Sequence, residues 1–301
     1  MNQTYHIFGL NIQSDIMLPA LPISESGLLS NPDVVIEYGD TPTCLTNDQN
    51  KGTYYQVAPG KLLLNIDSVA RYYVQKGSHI IITPAPGASE EKILVFLMGS
   101  AVGALLHQRN ILVLHAGAIV ANDQGIVFSG QSGVGKSTLA AGFHKRGYPF
   151  LADDVCAIAI LDGKPAAIPG FPRLKLWGDA LNHFSTDQAQ LKSIRWTRGL
   201  EKYFLPVEQL HKTPVFLKTI FTLEIGHDNV SSIKAIKGAE KINTLIENTY
   251  RFSFLHGLGG KKDHFRQCAA VASHTNMHRV IRSNAGFCLD ELLDLLQDKF
   301  D

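Results

Sequence analysis

The chain has 301 residues, with 28 Lys plus Arg against 27 Asp plus Glu, so its formal charge is +1. That near-balance excludes a surface built to coat nucleic acid or to lie on an acidic membrane. With 45% hydrophobic and 18% charged residues the composition is globular rather than disordered, and a chain of about two domains' length buries a core without metal or disulfide staples.

In chain order, residues 1–20 lack a basic start and a continuous apolar stretch, so no signal peptide is expected. The first third then reads as strands: residues 33–38, 53–57, 62–66, 72–75 and 79–83 are short, β-branched or aromatic, and broken by turn residues such as Pro59-Gly60 and Lys76-Gly77. After Pro84, Pro86 and Gly87, a long helix is predicted over about 89–108. Its most apolar run, residues 93–106, is flanked by Glu90, Glu91, Lys92 and Arg109. It falls short of the ~20 residues that span a bilayer, so a buried helix and no membrane association are expected. A domain boundary is placed there, giving a β-rich domain at 1–88 and a second domain at 89–301.

The second part alternates strand and helix, the pattern of an α/β domain. Residues 111–120 and 125–130 read as two strands, 136–146 as a helix stopped by Gly147, and 149–152 as a short strand delivering Asp153 and Asp154. Strands follow at 217–224 and 278–281, with helices at 238–248, 263–274 and 288–298. Cys44, Cys156, Cys268 and Cys288 are widely spaced with no CxxC pair, which suggests a reducing compartment, by default the cytoplasm, and no zinc site.

The run Gly130-Gln131-Ser132-Gly133-Val134-Gly135-Lys136-Ser137 fits G-x-x-x-x-G-K-[ST], the Walker A phosphate loop, between a predicted strand and a predicted helix. Glycines let successive N–H groups turn toward phosphate oxygens, and the following helix adds its positive end. ATP is therefore expected on Gly130, Ser132, Gly133, Val134, Gly135, Lys136, Ser137 and Thr138. Lys136 is expected to neutralise β/γ-phosphate charge and Ser137 to ligate Mg²⁺. Asp153-Asp154 leaves its strand at the sheet edge where α/β proteins bind ligands, so one carboxylate can hold Mg²⁺ and the other accept a proton. Adjacent strand residues point to opposite faces, so both can serve only if the strand ends at Ala152. Arg173 and Lys175 read as a solvated edge rather than phosphate ligands. Residues 251–266 form a basic stretch that suits either a rim of the site or an interhelix loop.

Residues 130–154, GQSGVGKSTLAAGFHKRGYPFLADD, resemble the active-site segment of HPr kinase/phosphorylase: phosphate loop, helix, Arg-Gly, short strand, Asp-Asp. The resemblance implies a P-loop kinase domain of the HPr kinase/PEP carboxykinase type. It adds His115, on the strand before the loop, to the active site. It also implies Asp153 as proton acceptor and Asp154 as metal-linked, with the reverse order open. No run like the family's Leu-Glu-x-Arg-Gly occurs. The layout is closer to the HPr-kinase-like serine kinases of ribosomal-peptide, including lasso-peptide, gene clusters, through FGLNIQSDIMLPALP, PGFPRLKLW, EKYFLP and HRVIRS. The implied activity is Mg·ATP-dependent phosphorylation of a serine on a peptide or protein, such as a ribosomal precursor peptide, by an enzyme that forms homo-oligomers. A small-molecule kinase acting on a free amino acid or sugar, and a non-catalytic ATP-binding regulator, are the alternatives.

Overall fold

The structure, a computed structural model, describes residues 3–19, 21, 23, 31–47, 50–181, 184, 192–197, 200–207, 210–226, 231–283 and 289–300; Cys288 lies outside them. The chain folds into two compact units, one comprising 1–113 and 249–266, the other 114–248 and 267–301.

The first unit begins with β1 (Gln3–Ile7), β2 (Leu10–Ser14), β3 (Val34–Tyr38), β4 (Asn50–Lys51), β5 (Tyr55–Ala58), β6 (Lys61–Ile66), β7 (Ala70–Gln75) and β8 (His79–Pro84). These form one sheet in the order β1-β2-β3-β8-β7-β6-β5-β4, antiparallel except where β3 lies parallel to β2 and β8. Period-two alternation puts Tyr72, Val74, Ile80 and Ile82, each at 0% exposure, on the covered face. The cover includes α1 (Glu90–Phe96), a π-helical turn at Leu97–Ala101, and α2 (Val102–Gln108). Tyr72 Oη donates to the Ile93 carbonyl at 2.9 Å, and Gln108 Nε2 to that of Val74 at 3.1 Å. The helix expected over 89–108 is therefore present, but the boundary expected at 88/89 does not coincide with the division of the chain. A helix apolar on all sides announces burial without saying which sheet buries it, and here it is the first unit's.

The second unit follows from β9 (Leu112–Leu114), through which the chain passes from one unit to the other. Its elements are β10 (Ala116–Ala121), β11 (Gln124–Gly130), α3 (Lys136–Lys145), β12 (Phe150–Ala152), β13 (Cys156–Leu161), β14 (Lys164–Ile168), β15 (Arg173–Trp177), α4 (Gly178–Leu181), β16 (Lys192–Thr197), β17 (Leu200–Pro206), β18 (Val215–Ile225), β19 (Ser232–Ala235) and α5 (Ala239–Glu247). After α6 (Leu255–Leu258), which belongs to the first unit, α7 (Lys261–His274) leads back to β20 (Asn276–Arg282) and α8 (Leu289–Gln297).

The main sheet runs β12-β10-β11-β18-β14-β13, with β20 on β18 and β19 on β20. β11, β18 and β20 are mutually parallel, whereas β10 is antiparallel to both β11 and β12. That topology sets the site. β11 and β12 end at the same edge, and β10 starts there, with Ala116 opposite Ser129 and Ala118 opposite Ala152. Beneath that edge Phe128, Phe143 and Phe221 are fully buried; Phe128 stacks on Phe143 at 5.4 Å and on Phe221 at 6.0 Å between centroids. A smaller sheet, β15-β17-β16, packs Leu174, Leu176 and Tyr203 into the same core. No helix among the described residues is long and apolar enough to cross a membrane.

Candidate active site

The 130–137 loop, read from the sequence as a phosphate loop, lies where β11 gives way to α3. Gly130 has φ +137°, and a Cβ there would stand 2.6 Å from the Leu223 carbonyl oxygen of the neighbouring β18, so only glycine fits. Gly133 (φ +86°) and Gly135 (φ +107°) take positive φ, which glycine adopts without strain, and Gly135 leads into the first residue of α3, Lys136. Lys136 is 5% exposed, and its Nζ donates to the Gln131 carbonyl at 2.8 Å. Burial pushes its ammonium down to about 8, against the pull of Asp153 and Asp154.

β12 ends at Ala152, so the two aspartates leave the strand and diverge. Asp153 turns inward. It is 8% exposed, accepts from Ser137 Oγ at 2.8 Å on Oδ1, and accepts from the Lys175 backbone N–H at 2.9 Å on Oδ2. Gly117 on β10 admits the neighbouring helix rather than the carboxylate: a Cβ there would lie 3.1 Å from Ala140 Cβ on α3 but in ordinary contact, 3.4 Å, with Asp153 Oδ1. Burial and the neighbouring Asp154 charge push the Asp153 carboxyl up to about 6, although Lys175 N–H and Ser137 oppose them. Asp154 turns outward in a left-handed conformation, φ +68°, and lines the cleft. Its Oδ1 is 3.2 Å from His115 Nδ1 and its Oδ2 is 3.5 Å from Lys175 Nζ. Burial alone would raise its carboxyl, but Lys175 and His115 outweigh burial and hold it well below the usual carboxylate range.

His115 sits in a break between β9 and β10, its N–H donating to the Asn248 carbonyl at 2.8 Å. The single strand predicted over 111–120 is interrupted there, which frees the side chain to reach Asp154. Lys175 is not a solvated edge: its side chain is 17% exposed and covers Asp154. Arg173 stacks on Phe204 at 4.0 Å and Phe171 at 5.5 Å, and it does not line the cleft.

Sequence reasoning missed Lys202 and Trp177. They face each other across the β15–β17 ladder, with Lys202 Nζ 4.2 Å from the indole centroid. A signal for them was present. Leu174 and Leu176 alternate with Arg173, Lys175 and Trp177, and Tyr203 and Leu205 alternate with Lys202 and Phe204. Two such strands paired in a ladder put cations and rings on one face. The resulting cleft is lined by His115, Ser132, Gly133 and Gly135 of the loop, Lys136 to Thr138 of α3, Asp154, Lys175, Trp177 and Lys202. The basic stretch 251–266 belongs to the first unit.

Among the described residues no three His, Cys, Asp or Glu side chains gather as a metal site. The Ser137 hydroxyl with the Asp153 carboxylate fits a different kind of cation, Mg²⁺, which takes one or two protein oxygens and fills its shell with phosphate oxygens and water. No family model matches the chain, and no curated protein matches it. Among solved structures the chain is similar to the Hpr(Ser) kinase/phosphatase from Coxiella burnetii, with 11% sequence identity over 62% of this chain and 95% of that one, at a TM-score of 0.32.

Proposed function

We propose that the protein is a Mg·ATP-dependent phosphotransferase whose acceptor is a hydroxyl, that of a serine in a peptide or protein. The observation that carries this reading is the divergence of the two aspartates. Asp153 is turned onto Ser137, and Asp154 is turned into the cleft. A nucleotide sensor needs only the first arrangement; a transferase needs both.

In this reading the loop N–H groups and the start of α3 hold the phosphates, and Lys136 leaves Gln131 to meet the β- and γ-phosphate oxygens. Ser137 and Asp153 would hold Mg²⁺, which neutralises phosphate charge when bound. Asp154, kept ionised by Lys175 and His115, accepts the proton of the incoming hydroxyl. The hydroxyl oxygen bonds to the γ-phosphorus as the bond to the β-phosphate oxygen breaks; ADP leaves, and the proton passes by way of Asp154 to solvent, because a carboxyl held that low does not keep it. This reverses the order expected from the resemblance, in which Asp153 was the proton acceptor. Its support is that Asp153 is 8% exposed and held by Ser137 and Lys175 N–H, which leaves Asp154 to meet an acceptor.

The test is transfer from γ-labelled ATP to serine-containing peptides and to HPr, together with slow hydrolysis to water. Asp154→Asn should lower transfer by at least ~10²-fold while binding Mg·ATP nearly normally. Asp153→Asn should lower the apparent affinity for Mg²⁺. Full activity in both variants would sink the mechanism, and efficient labelling of HPr would overturn the choice of acceptor.

A further inference from the structure

Three lysines and one aspartate line the cleft, and the lysines are not equivalent. Lys136 belongs to the phosphate loop and is tied to the Gln131 carbonyl at 2.8 Å. Lys175 pairs with Asp154 at 3.5 Å and donates its backbone N–H to Asp153. Lys202 comes from another element, the middle strand of the small sheet. Among the described residues it has no carboxylate within ion-pair distance; its ammonium rests on the Trp177 ring, 4.2 Å from the centroid. An indole face is a weak seat for a cation compared with a phosphate oxygen. Lys202 nevertheless lines the same cleft as Lys136 and Ser137 of the loop and Asp154 of the acid pair. It therefore borders the space that a phosphoryl group would cross.

We propose that Lys202 is the cation that binds the phosphoryl group in transit, leaving the Trp177 ring to meet the equatorial oxygens as charge spreads over them. This rests on the phosphotransfer reading above and adds a residue to it. The chemistry asks for such a group. The transferring phosphoryl is neutralised on the loop side by Lys136, and its far side faces Asp154, whose negative charge repels it. A cation supplied from β17 offsets that repulsion without carrying a proton or forming a covalent bond. Lys175 is poorly placed for the task, because leaving Asp154 would uncover the carboxylate it neutralises.

The acceptor is unidentified, so the test uses Mg·ADP alone and Mg·ADP with aluminium fluoride, a planar stand-in for the phosphoryl group. Wild-type protein should bind the fluoride complex more tightly than Mg·ADP. Lys202→Met should keep its Mg·ADP affinity within about threefold and lose ~10²-fold or more of affinity for the fluoride complex; Lys202→Arg should restore most of it. A second readout needs no change at Lys202. The chain has two tryptophans, so in a Trp196→Phe background the emission of Trp177 should stay constant on adding Mg·ADP and shift when aluminium fluoride follows. An unaltered fluoride affinity in Lys202→Met, an equal loss for both ligands, or a constant Trp177 emission would overturn the proposal. If wild-type protein binds neither Mg·ATP nor Mg·ADP, the phosphotransfer reading fails with it. If wild-type protein binds and transfers normally and Lys202→Met behaves as wild type, only the role of Lys202 fails.

Discussion

Both units bury titratable groups, and they handle them in opposite ways. In the first unit His107 on α2 is 4% exposed, and its Nε2–H donates to the Tyr250 carbonyl at 2.8 Å. Burial pushes its pKa down to about 4, so it is packed neutral with its ring nitrogen satisfied by backbone. In the second unit Lys136, Asp153 and Asp154 are gathered at one sheet edge, where they offset one another beside an open cleft. The first arrangement is what folding favours, because a neutral, hydrogen-bonded group costs little to bury. The second retains charge at a cost in desolvation, and a sheet edge that keeps such a cluster is where chemistry is to be sought.

Removing one charge from the second cluster is the largest way to test that contrast. Lys136→Ala should leave the fold intact, weaken Mg·ATP binding, and lower transfer or hydrolysis by ~10²–10³-fold, the scale of a lost cation facing developing phosphate charge. Calorimetry with Mg·ATP and a turnover assay check it; unchanged affinity and turnover would make the cluster structural, like His107. A purely packing change beneath the same edge should behave differently. Phe143 is fully buried, stacked on Phe128 at 5.4 Å and packed on Phe300 at 4.9 Å. Phe143→Ala should cost about 3–5 kcal/mol, read as a lower urea midpoint for the loss of Mg·ATP binding, with the affinity of the folded protein little changed.

The third prediction concerns the first unit. His107 has its pKa lowered from 6.5 to about 4. Above pH ~6.5 neither the folded nor the unfolded state binds the proton, and the group contributes nothing to the pH dependence. Below that, the unfolded chain takes a proton that the folded chain refuses, so stability falls with pH until about 4. At 1.36 kcal/mol per pKa unit the loss totals about 3 kcal/mol. His264, also lowered by burial and facing His107, adds to the slope in the same direction. Urea unfolding at pH 7 and pH 5 should show the loss, and His107→Gln should reduce it. An unchanged slope would mean that His107 is not the neutral, buried group the contrast requires.

These two treatments of charge were unequally legible in the sequence. The shape of the 130–137 loop could be read directly, because the glycines that mark the motif, Gly130, Gly133 and Gly135, are the ones the structure holds at positive φ. The divergence of Asp153 and Asp154 followed from the even spacing of strand side chains and the need for β12 to stop at Ala152. His115 depended on something no local pattern encodes, the antiparallel return of β10 to the edge where β11 and β12 end. Lys175 and Lys202 depended on a ladder between strands about 25 residues apart. One hairpin was passed over although its signal was strong. Asp162-Gly163, with φ +50° and +76°, is the Asp-Gly pair that closes a two-residue turn between β13 and β14. β1 and β2 went unread because their apolar positions alternate with Thr, His, Asn and Gln over five residues each.

The smallest expected effect lies on the far side of the helix that carries Lys136. Arg146, at the end of α3, reaches α8 through Asp294 at 2.6 Å and Asp290 at 3.4 Å. The pairing resembles the contacts around Asp154 on paper, with one group held between two of opposite charge. Its surroundings are different. The Asp290 and Asp294 side chains are 87% and 72% exposed, whereas that of Asp154 is 24% exposed. Exposed pairs are screened by water and salt, and they must hold long side chains still to form. The α3–α8 packing is set instead by Leu289, Leu292, Leu293 and Leu296, which are buried in the core shared with Phe143. Arg146→Ala should therefore cost no more than about 1 kcal/mol, shrink further in 1 M salt, and leave Mg·ATP affinity unchanged, as calorimetry and urea unfolding at low and high salt would show. A loss comparable to that of Phe143→Ala, or one that persists in salt, would mean that exposed charge orders α3 as strongly as its buried face, and the division between charge kept for chemistry and apolar surface kept for stability would not hold in this unit.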